Sequence, residues 1–123
     1  MPKRKFSLKQ QLNSFIHAFN GLIFLVRNEH NSRIHLTIAF FVVLLSFYFK
    51  INAMEWIAVV FSIGFVFSAE LINTSVEKLA DFVCKEKNDK IKIVKDLAAA
   101  YVFVSALTAF IIGVIVFVPK IIA

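Results

Sequence analysis

The sequence predicts an all-α membrane protein: an N-terminal amphipathic helix lying along the membrane surface, then three transmembrane helices. Three observations carry that expectation. Hydrophobic residues make up 59% of the 123, with fifteen Phe, more apolar surface than a water-soluble domain of this length buries. Three Gly and two Pro are too few for a turn-rich β fold and suit long helices. Charged residues avoid extended apolar runs and gather at their ends, as at membrane flanks.

From Phe6 to Asn28 the apolar residues Leu8, Leu12, Phe15, Ile16, Phe19, Leu22, Ile23 and Val26 recur at spacings of three and four. That stripe, opposite Lys9, Gln10, Asn13, Asn20 and Arg27, predicts a surface helix over 6–29. Packing of the same stripe on the other helices is a compatible alternative. Ile34 to Phe49 follows as sixteen uncharged residues between Arg33 and Lys50. At 1.5 Å per residue this run falls just short of the ~30 Å hydrocarbon core. With its flanks snorkelling it makes a first span over 34–50.

A short, nearly neutral connector, Lys50 to Glu55, suits an external hairpin. The second span is predicted over 54–83, with Trp56 as an interfacial anchor and its last turns leaving the membrane. Along that helix Glu70 stands ~21 Å beyond Trp56 and Glu77 ~32 Å beyond it. Cys84 to Lys92 is a charged loop. The third span is predicted over 96–118, with Leu97 to Val118 uncharged and Pro119 and Lys120 ending it.

The 123 residues thus form one domain. Twelve of the fourteen Lys and Arg fall on one side or its edge, leaving Lys50 and Lys120 on the other. This asymmetry places the N-terminus in the cytoplasm and the C-terminus outside. It also accounts for the net charge of +6 without a nucleic-acid partner, since both basic blocks, Lys3 to Lys9 and Lys85 to Lys95, border apolar segments. The single cysteine, Cys84, excludes an internal disulfide and a thiolate metal cluster. The N-terminus lacks the compact apolar core and cleavage site of a signal peptide.

The chemistry-bearing feature is one face of the second span. Glu70, Asn73, Thr74, Glu77 and Asp81 point within an arc of ~100°. A charged group at mid-bilayer costs ~2.5–3.5 kcal/mol even on lenient scales, so such residues face a protein interior or a watery cavity. They could pair with Lys78, Lys95 or Arg27 and merely hold helices together. Alternatively, two carboxylates with phosphate oxygens and water make a Mg²⁺ site. Glu77 has the depth to meet a soluble metal–nucleotide, and Glu29 approaches the same level. Glu70, deeper and less solvated, is placed to act as general base toward a hydroxyl arriving from the lipid.

Lys95-Asp96 opens the third span. Lys95 could neutralise phosphate while Asp96 favours the helix dipole, or the pair could be a simple cap with a snorkelling Lys. Ala98 to Ala100 would admit a close helix neighbour. His17, His30 and His35 lack metal-ligand spacing. No Gly-rich loop exists, which excludes P-loop and protein-kinase relatives.

The stretch Ala69-Glu70-Leu71-Ile72-Asn73-Thr74-Ser75-Val76-Glu77-Lys78-Leu79-Ala80-Asp81 resembles the signature of the bacterial integral-membrane diacylglycerol kinase family, Glu-x-x-Asn-(Ser or Thr)-x-x-Glu-x-x-x-Asp. Lys95-Asp96-Leu97-Ala98-Ala99-Ala100 resembles a later family element, and Gly21 and Asn28-Glu29 its N-terminal pattern. The resemblance implies ATP-dependent phosphorylation of a membrane lipid alcohol in the bacterial inner membrane. It implies Glu70 as catalytic base, supported by Asn73, and Glu29 with Glu77 as holders of the Mg²⁺ of MgATP. Asp81, Glu86, Asn88, Lys95, Asp96 and His17 complete the nucleotide set, and Arg33, Trp56 and Ala99 join Glu70 toward the lipid. Family members are homotrimers with sites shared between subunits.

The family has two branches, one acting on diacylglycerol and one on undecaprenol. Arg33 and His35 after Glu29, with no additional Glu in that region, resemble the undecaprenol branch. Asn88, however, stands where many of its members have His. Diacylglycerol is the alternative acceptor. Readings from other classes are an ion or proton transporter and a structural subunit whose acids pair with partner helices.

Overall fold

The computed structural model describes residues 6–123; Lys3, Arg4 and Lys5 of the first basic block lie outside them. It contains four helices, α1 (Leu8–Asn28), α2 (His30–Tyr48), α3 (Ala53–Val83) and α4 (Asp89–Ile122), and no strand among the described residues. Helices α2, α3 and α4 are each long and apolar enough to cross a membrane. Large apolar side chains such as Phe40, Phe47, Phe61, Phe103 and Phe110 are more than half exposed on their outer faces. Such a surface is soluble only in lipid.

Ser7 caps α1 by accepting from the Gln10 N–H at 3.4 Å. The apolar stripe of α1 remains open: Leu8, Leu12, Phe15 and Phe19 are exposed, and Leu25 alone is buried. The stripe is therefore not consumed by packing within the chain, and an interfacial helix presents such a face. Only the last turns of α1 dock, where Gly21, Phe24 and Leu25 meet Leu71, Thr74 and Lys78 of α3.

A single extended residue, Glu29 (φ −109°, ψ 114°), separates α1 from α2. Helix α2 consequently begins at His30, four residues before the expected start of the first span. No Gly or Pro opposes helix in His30–Arg33, so the polar turn joins the apolar run. The span then has nineteen residues, or ~28 Å, which removes most of the anticipated shortfall.

At the far end of α2 the chain reverses through Lys50, whose φ is 50°. Asn52 then starts α3 with a capping box. Its side chain accepts from the Glu55 N–H at 2.9 Å, and Glu55 accepts from the Asn52 N–H at 3.0 Å. Helix α3 runs thirty-one residues, about 46 Å and longer than the hydrocarbon core.

The charged loop is shorter than expected. Asn88 accepts from the Lys90 and Ile91 N–H groups, so α4 starts at Asp89 rather than at 96. Pro119 does not end α4, which continues to Ile122. A proline this close to a terminus forfeits one backbone bond with little helix left to distort.

Helices α3 and α4 pair antiparallel over most of their length. Ion pairs close both ends: Asp81 with Lys95, and Glu55 Oε2 with Lys120 Nζ at 3.0 Å. Between them the contact is lined by small buried residues, including Ser62, Ala69, Ala98 and Ser105, which let membrane helices approach closely. The hydroxyls of Ser46, Ser62 and Ser105 donate to backbone carbonyls of their own helices, so they are buried without an unpaired donor. A compact apolar cluster of Ile51, Val59, Val116 and Phe117 closes the Trp56 end of the bundle.

Candidate active site

The site forms where α2 crosses the polar face of α3 at the opposite end from Trp56. His35 Nε2 lies 3.3 Å from Glu70 Oε1. Because the two helices are antiparallel, each helical turn back along α2 meets one turn forward along α3. His35 opposite Glu70 thus sets Ser32 near Asn73 and Thr74, and Glu29 near Glu77.

Burial grades along this face. Glu70 is 2% exposed and Ser32 and Thr74 are buried; Glu29 and Glu77 are half-buried, and Asp81 is exposed. Four side-chain oxygens in this strip are buried without a hydrogen-bond partner: Ser32 Oγ, Glu70 Oε1, Asn73 Oδ1 and Thr74 Oγ1. The His35 contact is close enough for an ion pair, but its angle leaves Glu70 Oε1 without a hydrogen bond. A buried polar atom left unpaired costs about 1–3 kcal/mol. Four in one strip mark a place shaped for a polar guest rather than for packing.

Hard oxygen donors are available on this strip for a divalent cation. No group of three His, Cys, Asp or Glu among the described residues converges as a protein-only metal cage. Mg²⁺ is ordinarily held by one or two carboxylates plus substrate phosphates and water. Glu29 and Glu77, level with each other and partly open, fit a cation that arrives with a nucleotide.

The remaining expected residues lie in different settings. Lys95 pairs with Asp81, whereas Asp96 pairs with Lys92 one turn earlier, at 2.7 Å on an exposed surface. Glu86 is exposed in the α3–α4 loop, where its carbonyl accepts from Cys84 Sγ, and Asn88 serves as the α4 cap. His17 is exposed on α1 and Arg33 in the first turn of α2. Trp56 stands at the other end of α3, ~21 Å from Glu70 along the axis, in an edge contact with Phe47. In the small-residue run, Ala98 is the buried member and Ala99 is exposed. Sequence reasoning missed Ser32 and the contact of His35 with Glu70. Their signal was the spacing of Glu29, Ser32 and His35 along one side of α2.

Three membrane-length helices, with a buried carboxylate opening onto a more exposed acidic face, define an integral-membrane protein with a polar site let into its apolar bundle. Residues 16–117 match the family described as prokaryotic diacylglycerol kinase. The chain is also 34% identical over 113 residues to the undecaprenol kinase of Bacillus subtilis (strain 168), a match covering 92% of each. This chain belongs to the prokaryotic diacylglycerol kinase family, and it is a lipid kinase.

Proposed function

We propose that this chain transfers the γ-phosphoryl group of MgATP to the hydroxyl of undecaprenol, giving undecaprenyl phosphate and ADP. The acceptor is suggested by the relative from Bacillus subtilis. The observation that carries the chemistry is the gradient from exposed Asp81, through half-buried Glu77 and Glu29, to buried Glu70. One end of the strip suits a water-soluble donor and the other a lipid acceptor.

In this reading the Glu70 carboxylate takes the hydroxyl proton as the alcohol oxygen bonds to the γ-phosphorus. The bond between that phosphorus and the β,γ-bridging oxygen breaks, and ADP leaves. Asn73 orients the reacting groups. Glu29 and Glu77 hold the Mg²⁺ that accompanies ATP, which when bound offsets charge on the transferring phosphoryl. Asp81, Lys95, Asp96, Glu86, Asn88 and His17 make up the nucleotide side. Arg33, Trp56 and Ala99 face the lipid. The working unit is a homotrimer with shared sites in the bacterial inner membrane, the N-terminus and the α3–α4 loop being cytoplasmic.

The test is phosphate transfer from γ-labelled MgATP by detergent-purified protein, with undecaprenol and diacylglycerol offered separately. Strong labelling of undecaprenol is the expected result. Labelling of diacylglycerol alone would assign the chain the other acceptor. Labelling of neither by folded protein would refute the proposal and favour a transporter or structural role.

A further inference from the structure

Hydroxyls along these helices are as a rule satisfied locally. Thr37, Ser46, Ser62, Ser75, Ser105 and Thr108 each donate to a backbone carbonyl three or four residues earlier in their own helix. Ser32 and Thr74 do not. Ser32 is wholly buried and Thr74 is 6% exposed, yet neither hydroxyl oxygen has a hydrogen-bond partner. Thr74 passes over the Glu70 carbonyl four residues back, the usual outlet for such a group. Ser32 stands in the first turn of α2, where Glu29 supplies no side-chain cap. The opening N–H groups of that helix therefore lack a side-chain acceptor, and they form the positive end of its dipole.

The place of the two hydroxyls along the strip narrows what they serve. Glu29 and Glu77 lie at one level, and Glu70 lies about two turns deeper, ~10 Å away along α3. In the kinase reading the donor's phosphates enter at the first level and the acceptor hydroxyl meets Glu70 at the second. The phosphoryl group in transit lies between them, at the level of Ser32, Asn73 and Thr74. The lysines on α3 and facing it on α4 are engaged elsewhere, Lys78 against the Phe24 ring and Lys95 with Asp81. The groups waiting at this level are neutral donors.

We propose that the Ser32 and Thr74 hydroxyls donate to equatorial oxygens of the phosphoryl group during its transfer. The inference rests on the kinase reading and adds two catalytic residues to it. The alcohol oxygen bonds to the γ-phosphorus, the bond to the β,γ-bridging oxygen breaks, and the alcohol proton passes to Glu70. Ser32 and Thr74 keep their own protons throughout. Donors fixed in a dry site stabilise charge where it develops, and between turnovers a hydroxyl costs less to bury than an ammonium. The acceptors that these hydroxyls lack within the chain are brought by the substrate.

Ser32→Ala in the full-length protein tests this, because a structural role and a catalytic one predict opposite results. A hydroxyl that holds the helices together lowers stability when removed. An unpaired buried hydroxyl lowers stability while present, so the variant's unfolding midpoint in detergent should equal or exceed the parent's. Its kcat should fall about 10- to 100-fold, while MgATP affinity, read by equilibrium binding without acceptor, stays nearly unchanged. An unchanged kcat, or one that falls only in step with a lowered midpoint, overturns the proposal. Thr74→Val keeps the shape of the side chain and should behave alike; it decides the matter if Ser32→Ala does not fold. Ser46→Ala is the control. Ser46 is equally buried but already bonded to the Val42 carbonyl at 2.8 Å, and its loss should leave kcat at the parental level.

Sulfur substitution perturbs the same contact from the substrate side. ATPγS carries a sulfur in place of one γ-oxygen, and sulfur is both a weak hydrogen-bond acceptor and a poor ligand for hard cations. The parent should therefore use it slowly. With one donor removed, the sulfur can take the vacated place, so the ratio of ATP to ATPγS rates should be smaller in Ser32→Ala than in the parent. An equal ratio would set the hydroxyl away from the transferring group. A parent that phosphorylates a lipid alcohol while its Ser32 and Thr74 variants match it sinks this inference alone. A parent that phosphorylates no alcohol sinks the kinase reading and the inference with it.

Discussion

Glu70 combines near-complete burial with an oxygen that makes no hydrogen bond, a costly state to which His35 Nε2, at 3.3 Å, brings an ion-pair contact but no hydrogen bond. Lys78 does not relieve it; its ammonium sits 5.6 Å from the centre of the Phe24 ring. Lys95 is occupied by Asp81. Glu70→Gln keeps the shape and removes the proton acceptor, so it is expected to cut kcat by about 10²–10⁴ while leaving MgATP affinity nearly unchanged. A near parental rate would remove Glu70 as base. Glu77→Ala, which takes away an oxygen donor on the open part of the strip, should shift the Mg²⁺ titration of activity to higher concentration. An unaltered titration would refute its role as a metal holder. The spacing of the α3 acids was legible in the sequence because membrane helices exclude unneeded charge. For Ser32 and His35 the spacing from Glu29 sets them on one side of α2, but what they meet there depends on the register of α2 against α3, which no single helix encodes.

At the scale of the helices, α3 begins where Asn52 and Glu55 form a capping box ahead of the apolar run. Sequence reading placed the start of α4 too late, treating Lys90 and Lys92 as loop on account of their charge. Helix begins where a cap supplies acceptors for its first N–H groups, and Asn88 does so before the charged residues are reached. Lys92 and Asp96 then stabilise the first turns as a pair four residues apart. The Asn52 cap offers a test of how far stability and catalysis are separable. Asn52→Ala removes one of the two reciprocal bonds and should destabilise the protein by about 1 kcal/mol, read as a lower unfolding midpoint in detergent. With Glu70 ~21 Å or more away along α3, kcat measured well below that midpoint should be unaffected. A matching fall in kcat would mean that the Trp56 end of the bundle is mechanically coupled to the site.

At the scale of the whole molecule, the arrangement follows from two separations: apolar surface from water, and the acidic strip from the lipid around it. The α3–α4 pair spans the bundle, and its two closing ion pairs stand at opposite ends, Asp81 with Lys95 and Glu55 with Lys120. Basic residues are unequally divided between those ends. The Asp81 end is bordered by Lys85, Lys87, Lys90, Lys92 and Lys95, whereas the Glu55 end carries Lys50 and Lys120. Positive flanks are retained in the cytoplasm, so the loop containing Cys84 should face inward and the turn before α3 outward. An impermeant maleimide applied to intact spheroplasts should therefore modify an Ala53→Cys variant, whose position is exposed, and leave Cys84 of the parent protein unlabelled. Opening the membrane should add labelling at Cys84, half-buried in the α3–α4 loop. The reverse order would turn the molecule over and put Glu77 and Asp81 on the side without ATP. A kinase cannot work in that orientation, so the labelling order tests the proposed chemistry as well as the topology.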